Sequence, residues 1–455
     1  TPVHQGSIPV GLDAVAANAR TNNEVWVVNQ ISDSVSIVDL AAGNVVRTLA
    51  VGDEPADVVF AGDPERAFVS ISQENRIKIY DPANPGAAPV VVPIAGEDPR
   101  ALATDGIRVY AAIFESGNRS TNLERETVSA PGGPYGGDNP PPNAGGGFLP
   151  PIAPGLPTPP EVSLIVRKNA AGQWRDVNGA DWSPEVTWDL HDHDVAILPA
   201  ANPNAVTYAT GLMNLNMALA VTHDGRVAVV GTDAENEIRF EPNVKGIFTR
   251  VIGAVFDPLT PASASRTDLN PHLTYAVRNI PQNERDQSIG DPRGIAWSAT
   301  SDRAYVSGMG SNNLIITNSM GVRLGRIEVG QGPTGLAWDE GADRLYVLNR
   351  FDATLTTIDT TTDTEILPRV GFYDPTPQVI RDGRPFLYST HDFSGLGQIA
   401  CGSCHVDGRM DQLAWDLGDP QGAMKPINQN CDLAPCPDWH PMKGPMTTQT
   451  LIGIV

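Results

Sequence analysis

The sequence predicts a mainly β fold, in which a seven-bladed β-propeller is followed by a small α-helical domain. Two observations support this fold class. The 455 residues include 44 glycines and 40 prolines, so a residue that interrupts regular structure occurs about every five positions, which favours short strands over long helices. In addition, a short pattern recurs along most of the chain with a period of 41 to 44 residues, which is typical of propeller blades.

Each copy of the pattern begins with an apolar segment led by proline, and an aromatic residue followed by further apolar residues comes 11 to 13 positions later. Clear copies begin at Pro292 and Pro333, which are 41 residues apart, and earlier copies begin at Pro55 and Pro99, which are 44 apart. Approximate alternation of apolar and polar residues predicts four short strands per copy. Stacking around a ring buries the apolar faces that a single blade leaves exposed.

Seven blade starts are predicted, and the propeller is assigned to residues 1–375, with six or eight blades as alternatives. The fourth start rests on the segments Asp192–Leu198 and Asn204–Tyr208. The predicted starts lie near Pro9, Pro55, Pro99, Asp192, Leu215, Pro292 and Pro333.

Two segments interrupt the repeat. Residues 115–160 are rich in proline and glycine and have no strand pattern, so they are predicted to follow the surface; covering one end of the propeller or contacting a partner is the alternative. Residues 241–290 carry mixed charge and are predicted to be a long excursion between strands. After Pro377 the repeat stops, and a second domain is predicted over residues 380–455.

The five residues from Cys401 to His405 read Cys-Gly-Ser-Cys-His, a C-x-x-C-H sequence typical of covalent c-type haem attachment. The thiols of Cys401 and Cys404 lie on one turn of backbone and can each form a thioether with a haem vinyl group, which leaves His405 as the proximal iron ligand. A zinc knuckle needs a second pair of ligands at related spacing. One covalent haem c is therefore predicted, and a disulfide or metal site beside a chance histidine is the alternative.

The two remaining cysteines, Cys431 and Cys436, are predicted to form a disulfide in an oxidising compartment. A second haem there requires a histidine directly after Cys436, whereas three residues precede His440. Because covalent haem attachment takes place outside the bacterial cytoplasm, the motif predicts a periplasmic or extracellular protein.

The repeats resemble the YVTN family of β-propellers over most of residues 9–370. The strands Trp26–Asn29 and Tyr346–Asn349 match the aromatic-Val-x-Asn strand of that family. The resemblance implies the propeller fold and says little about function, because propellers carry many activities.

The segment after the propeller resembles the haem domains of bacterial cytochrome c peroxidases and their relatives, in particular the version fused to YVTN propellers in exported proteins. This resemblance implies covalent haem, redox activity and, in some members, a second haem with peroxidase or cofactor-maturing chemistry. The chain has one haem motif and ends at Val455, where the domains of that family continue, so the cytochrome domain is expected to be incomplete. The matching segments are Gly383–Tyr388, Phe393–Gly397, Asp407–Arg409, Leu413–Asp416 and Lys443–Leu451.

The sixth iron ligand decides what such a haem does. Methionine gives an electron carrier of higher potential, histidine one of lower potential, and an empty position admits peroxide. Met446 is the first candidate, followed by His440 and Met442, with His391 last; Met410 follows His405 too closely to reach the opposite face of the haem. For each of them a packed thioether or a surface imidazole is the alternative.

Other polar and aromatic residues are candidates for supporting roles. Trp415 is predicted to pack on the porphyrin or in the core, and Arg409 to pair with a haem propionate or to remain in solvent. His191 and His193 share one face of a predicted strand, but no third metal ligand is visible, so an outward polar strand is favoured. The Asp-rich turns are candidate Ca²⁺ sites, although no EF-hand loop occurs.

The charge of the chain limits its partners. A formal net charge of -22 argues against nucleic acid and anionic lipid and favours a cationic redox partner, although a well-solvated secreted surface explains it equally. No apolar run of about 18 residues occurs, so no transmembrane segment is predicted. The first residues, Thr1–His4, show no export signal and are expected to be a mature end.

Together these features predict an exported c-type cytochrome that transfers electrons through haem iron, with the propeller as a docking or assembly platform. A peroxidase-like haem oxidoreductase with an open or displaceable sixth position is the first alternative. The second is a structural or interaction subunit of an extracellular redox assembly, including a homo-oligomer.

Overall fold

The computed structural model describes residues 2–142, 152–188, 190, 192–240, 247–426 and 438–453. Over these residues the chain is mainly β, and its four-stranded antiparallel sheets follow one another in a propeller-like order. Within each sheet, or blade, the strands pair in chain order. The first two blades consist of β1 (Ala14–Ala19), β2 (Glu24–Asn29), β3 (Ser34–Asp39), β4 (Asn44–Ala50), β5 (Pro55–Ala61), β6 (Arg66–Ile71), β7 (Arg76–Tyr80) and β8 (Val90–Pro93).

An insertion of residues 116–194 splits the third blade between its second and third strands. The insertion carries a small sheet of three strands and a short helix. The blade and its insertion consist of β9 (Glu97–Thr104), β10 (Arg108–Glu115), β11 (Ser120–Leu123), α1 (Arg125–Val128), β12 (Leu164–Lys168), β13 (Trp174–Arg175), β14 (Val195–Pro199) and β15 (Thr207–Ala209).

The described residues form six blades and not the predicted seven: four are separate four-stranded sheets, and the third and fourth blades share one eight-stranded sheet, joined where Glu115 pairs with Leu215. The segment that begins at Asp192 is not a separate blade, because β14 pairs with β10 and β15 pairs with β14. The insertion interrupts the 41-to-44-residue repeat inside the third blade, and the second half of that blade therefore resembles a new copy in the sequence.

The last three blades follow the predicted pattern more closely, since their first strands begin at Leu215, Pro292 and Pro333. Two strands of the fourth blade lie within residues 241–290, which the sequence pattern assigned to an excursion. The elements are β16 (Leu215–Val221), β17 (Val227–Ala234), β18 (Thr249–Phe256), β19 (Ala264–Asp268), α2 (Gln282–Arg285), β20 (Pro292–Trp297), β21 (Ala304–Gly308), β22 (Asn313–Thr317), β23 (Arg323–Glu328), β24 (Pro333–Asp339), β25 (Arg344–Asn349), β26 (Thr354–Asp359) and β27 (Thr364–Gly371).

The asparagine that ends the second strand of a blade ties that strand to the third. Asn349 is fully buried, and its amide nitrogen donates hydrogen bonds to the hydroxyls of Thr354 at 3.0 Å and Thr356 at 2.9 Å. Asn29 binds two serine hydroxyls in the first blade in the same way. The aromatic-Val-x-Asn pattern thus encodes both a buried strand and the polar link that fixes its neighbour.

Buried apolar clusters hold neighbouring blades together. Among the described residues, five such clusters span the junctions from the first blade through to the sixth. Between the fifth and sixth blades, Tyr305 and Leu314 pack against Leu345 and Val347. This packing follows from strand alternation, which turns every second side chain toward the adjacent blade.

The junction between the sixth and first blades is more open. Contacts there include an ion pair of 3.8 Å between Arg350 and Asp13 and an edge-to-face contact of 5.8 Å between the rings of His4 and Phe372. Leu348, which alternation turns away from the fifth blade, is 42% exposed. Polar and peripheral contacts therefore replace part of the apolar packing at this junction.

The first strands of all six blades line one central cavity of about 1170 Å³. The segment after the last blade lies against one mouth of this cavity, which Leu387, Tyr388, Asp407 and Arg409 also line. The segment is not wholly α-helical as predicted, because a two-stranded sheet accompanies its helices. Its regular elements are α3 (Gln378–Tyr388), α4 (Thr390–Phe393), β28 (Ala414–Asp416) and β29 (Pro445–Thr447).

No helix in the described part of the chain has the length and apolar character needed to cross a bilayer.

Candidate haem-attachment site

The two motif cysteines lie on a single tight turn of 3-10 helix, Cys401–Ser403. The turn is closed by the backbone N–H of His405, which donates to the carbonyl of Cys401 at 3.0 Å. Cys401 is exposed and Cys404 is half-buried. The spacing of the motif therefore places both cysteines on one compact surface turn.

The end of helix α3 packs against this turn at Gly402. Gly402 is buried, and a Cβ at this position would lie 2.8 Å from the ring of Tyr388 and 3.2 Å from the carbonyl of Leu387. A residue larger than glycine would therefore separate the turn from the helix. The glycine in the variable part of C-x-x-C-H is explained here by this close contact.

His405 is oriented by a hydrogen bond from one ring nitrogen. Its Nδ1 lies 2.7 Å from the carbonyl oxygen of Gln449, and because a carbonyl can only accept, Nδ1 is the donor. The neutral ring then carries its lone pair on Nε2. A histidine held in this way presents Nε2 as a metal ligand, and a backbone carbonyl is a common partner for the other nitrogen.

Trp415 lies beside the motif on β28. The side chain is buried in a cluster with Ala234 and Leu413, against which Cys404 packs. Its indole N–H donates to Asp411 at 2.9 Å. Trp415 therefore belongs to the core, in a cluster that Cys404 also packs against, and its packing on a porphyrin stays a prediction.

The residue after His405 is inserted into the propeller. Val406 is fully buried in a cluster with Phe114, Leu215 and Met217, which belong to the third and fourth blades. The C-x-x-C-H turn is thus joined directly to the mouth of the central cavity by apolar packing.

Asp407 binds two arginines from different blades. It accepts hydrogen bonds from Arg100 in β9 at 2.9 Å and from Arg293 in β20 at 2.9 and 3.1 Å. Burial raises the pKa of Asp407, but the charges of Arg293 and Arg100 outweigh this effect and lower the pKa to about 2. The carboxylate is therefore ionised at neutral pH and bridges the third and fifth blades.

Arg409 pairs with Glu54, which precedes β5 in the second blade, and both residues line the central cavity. Its guanidinium is therefore engaged with the propeller, whereas the sequence pattern led us to expect a haem propionate or solvent.

The candidate sixth ligands lie in different environments. Met442 is only 2% exposed, whereas Met446 is 44% exposed on β29 and pairs across the sheet with Trp415. Both ring nitrogens of His440 are engaged, Nε2 with the carbonyl of Pro157 at 3.1 Å and Nδ1 with the backbone N–H of Met442 at 3.1 Å. His391 Nε2 lies 3.0 Å from the carbonyl of Ser288, and Met410 is half-buried.

The other predicted site residues lie elsewhere or outside the described residues. His193 stacks on Tyr208 with ring centroids 3.8 Å apart, while His191 is not among the described residues. Cys431 and Cys436 are likewise outside them, so their predicted disulfide has no structural counterpart here. Within the described ranges, no group of three or more His, Cys, Asp or Glu side chains forms a candidate metal site.

Sequence reasoning missed the anchoring of the motif to the propeller, although one signal was present. Two blade starts, Asp98-Pro99-Arg100 and Asp291-Pro292-Arg293, share the order Asp-Pro-Arg. These are the two arginines that bind Asp407, and each also pairs with the aspartate of its own motif. The role of Gln449 had no signal, since a backbone carbonyl can belong to any residue.

The fold is similar to those of several solved structures. Hydrazine synthase of Kuenenia stuttgartiensis shares 16% identity over 75% of this chain and 81% of that chain, with a TM-score of 0.47. A streptogramin B lyase shares 8% identity over 80% of this chain and 84% of that one, with a TM-score of 0.43. A chain of the mitotic checkpoint complex shares 12% identity over 82% of this chain and 86% of that chain, with a TM-score of 0.42. No protein-family model and no curated protein matches the chain.

Proposed function

We propose that the protein is an exported c-type cytochrome that transfers electrons through one covalent haem, and that its YVTN-type propeller carries the haem segment and docks the redox partner. The observation that carries this proposal is the orientation and tautomer of the His405 ring. Its Nδ1 donates to the Gln449 carbonyl, which leaves Nε2 available beside Cys401 and Cys404 on the same turn. The residues present thus fit a c-type haem, with two thiols for attachment and one oriented imidazole.

When bound, haem supplies a one-electron couple between ferric and ferrous iron. The contributions of the chain itself are attachment and orientation. Cys401 and Cys404 hold the group at the surface, Gln449 sets the direction of the His405 ring, and Trp415 supplies an apolar contact beside Cys404. Exposure of Cys401 leaves an edge of this site accessible to a partner protein.

Haem attachment is tested by producing the chain with an export signal in a host that attaches haem, and measuring intact mass and the reduced-minus-oxidised spectrum. We expect a mass increase equal to one haem and a sharp α band. The variant C401S/C404S is expected to lose both, whereas C431S/C436S, which changes a matched pair outside the motif, is expected to keep them. A colourless wild-type protein with the mass of its amino acids alone would refute the proposal.

A peroxidase-like activity is the second candidate, and the placement of the possible sixth ligands favours it. His440 already uses both ring nitrogens, and Met442 is enclosed. Met446 lies three residues before Gln449, whose backbone carbonyl accepts a hydrogen bond from Nδ1 of His405. Three extended residues span at most about 10 Å. With His440 engaged and Met442 enclosed, a haem bound at this turn would keep its sixth position open to peroxide unless Met446 reached the iron.

The two candidates are separated by the response of the haem protein to added ligands. An electron carrier with six ligands keeps its spectrum when carbon monoxide or peroxide is added, and M446L changes that spectrum if Met446 is a ligand. A peroxidase-like site binds carbon monoxide when reduced and reacts with peroxide within seconds, and M446L then behaves as the wild type. The same spectra recorded for M442L test whether the Met442 thioether binds the iron.

A further inference from the structure

We infer that Asp407 is a positioning residue, which holds the haem-binding turn on the propeller and sets the electric field at His405 together with Arg100 and Arg293. The inference rests on the proposed function and extends it, because the propeller then acts on the haem itself and is more than a docking platform.

The first step of the argument is the anchoring of the chain directly after His405. Val406 is fully buried against side chains of two blades, and Asp407 binds two arginines from two further strands. Asp407 adopts a left-handed backbone conformation with φ of 53°, so the chain turns sharply at this point. His405 is therefore separated by one residue from a carboxylate fixed at the mouth of the central cavity.

The second step is that the arginines are themselves held in place. Arg100 pairs with Asp98 at 2.8 Å and lies 3.6 Å above the ring of Phe114, and Arg293 pairs with Asp291 at 2.7 Å. Their side chains are only 13% and 12% exposed. A carboxylate bound by two immobile guanidinium groups has little freedom to move, so these contacts fix the position of the segment that bears His405.

The third step concerns charge. The groups around Asp407 also include Arg350, Arg409, Glu54 and Asp13, which line the same cavity. The arginines beside Asp407 are largely buried, so their field is screened less than that of surface charges, whereas the Asp407 side chain is 35% exposed and its own field is screened more by solvent. Removal of the Asp407 charge makes the field near His405 more positive than in the wild type, which favours ferrous haem over ferric haem. Removal of the Arg293 charge has the opposite effect.

The test compares D407N, R293Q and the double variant D407N/R293Q in the haem-loaded full chain, with D181N as the matched control. Asp181 pairs with Arg175 in the insertion, away from the motif. Midpoint potentials are measured by titration with a chemical reductant and oxidant. We expect D407N to favour the reduced state by about threefold or more, R293Q to disfavour it by a similar factor, and the double variant to lie between them.

A role limited to stability predicts a different result. Loosening of the segment exposes the site to water in both single variants and shifts both potentials in the same direction. Shifts of the same sign, or none, in D407N and R293Q would overturn the inference, and D407E is expected to restore the wild-type value in part.

The anchoring itself is tested without haem by the rate of tryptic cleavage after Arg409 and Lys443 in the C401S/C404S background. We expect D407N to speed this cleavage at least several-fold relative to D181N. Equal rates would show that Asp407 does not hold the segment. A wild-type chain without haem would refute the proposed function alone, and the cleavage rates would then decide whether the anchor exists.

Discussion

At the scale of single residues, the asparagine that ends the second strand of a blade illustrates what a short pattern can encode. Asn349 is buried and binds two threonine hydroxyls, so N349A would leave both hydroxyls without their partner inside the blade. We expect this change to lower the free energy of unfolding by about 2 to 3 kcal/mol. The measurement is equilibrium denaturation in urea with circular dichroism.

The control for this prediction is N44A, which changes an exposed asparagine at the start of β4 and is expected to cost less than about 0.5 kcal/mol. Equal effects of the two variants would contradict a structural role for the buried hydrogen bonds.

The C-x-x-C-H motif is a local pattern and can be recognised in the sequence, while haem attachment at it stays a prediction. Cys401, Cys404 and His405 are recognisable from spacing alone, whereas the partners that orient them are distant in sequence. Asp407 meets Arg100 across 307 positions, and only the fold brings the two together. The same reason explains why the expectation for Arg409 differs from the observed pair with Glu54, since no local pattern relates the two residues.

At the scale of elements, the period of the sequence located most blades correctly and miscounted where an insertion fell inside one. Strands begin at Pro55, Leu215, Pro292 and Pro333, as the pattern predicts. The segment after residue 192 has the composition of two strands, but whether they start a blade or complete one depends on pairing with β10. Pairing across 79 intervening positions leaves no periodic signal, so the number of blades could not be read from the sequence.

The open junction between the sixth and first blades predicts unequal effects for two leucines of one strand. Leu345 in β25 is fully buried against the fifth blade, whereas Leu348 in the same strand is 42% exposed. We expect L345A to lower the free energy of unfolding by about 2 to 5 kcal/mol, because it removes buried apolar contacts and leaves a cavity. The matched change L348A is expected to cost less than about 1 kcal/mol.

Denaturation curves of the two leucine variants decide this prediction. A large effect of L348A would show that the sixth and first blades pack in solution as tightly as the others do. The ring would then be closed by contacts stronger than the ion pair of Arg350 with Asp13.

At the scale of the whole molecule, charge and burial together predict that stability falls as the pH rises. Burial raises the pKa of Asp57 and of Asp194 to about 6, and burial with the nearby charge of Asp98 raises the pKa of Glu115 to about 7. In the unfolded chain these groups titrate near 3.8 and 4.5. At pH values between the unfolded and the folded pKa of each group, the folded state binds more protons than the unfolded state, so deprotonation opposes folding.

The stability that these three groups contribute is complete below the unfolded pKa values and is lost as the pH rises through 6 and 7. We expect the free energy of unfolding to fall by a few kcal/mol between about pH 5 and pH 8, of which Glu115 accounts for about 2. The variant E115Q removes this titration and keeps an oxygen that can accept from Gln412, so its curve is expected to be flatter and to lie above the wild type at pH 8.

The control D224N changes an exposed carboxylate whose pKa is lowered to about 2 by its hydrogen bonds to Arg226 and Thr222. That group is ionised in both states throughout the range, and the slope is expected to stay as in the wild type. Urea denaturation at several pH values measures all three proteins. The net charge of -22 also promotes self-repulsion at high pH, which affects all three proteins. The contribution of Glu115 is therefore the difference between the pH slopes of E115Q and D224N. Parallel curves of stability against pH for these two variants would contradict the raised pKa of Glu115.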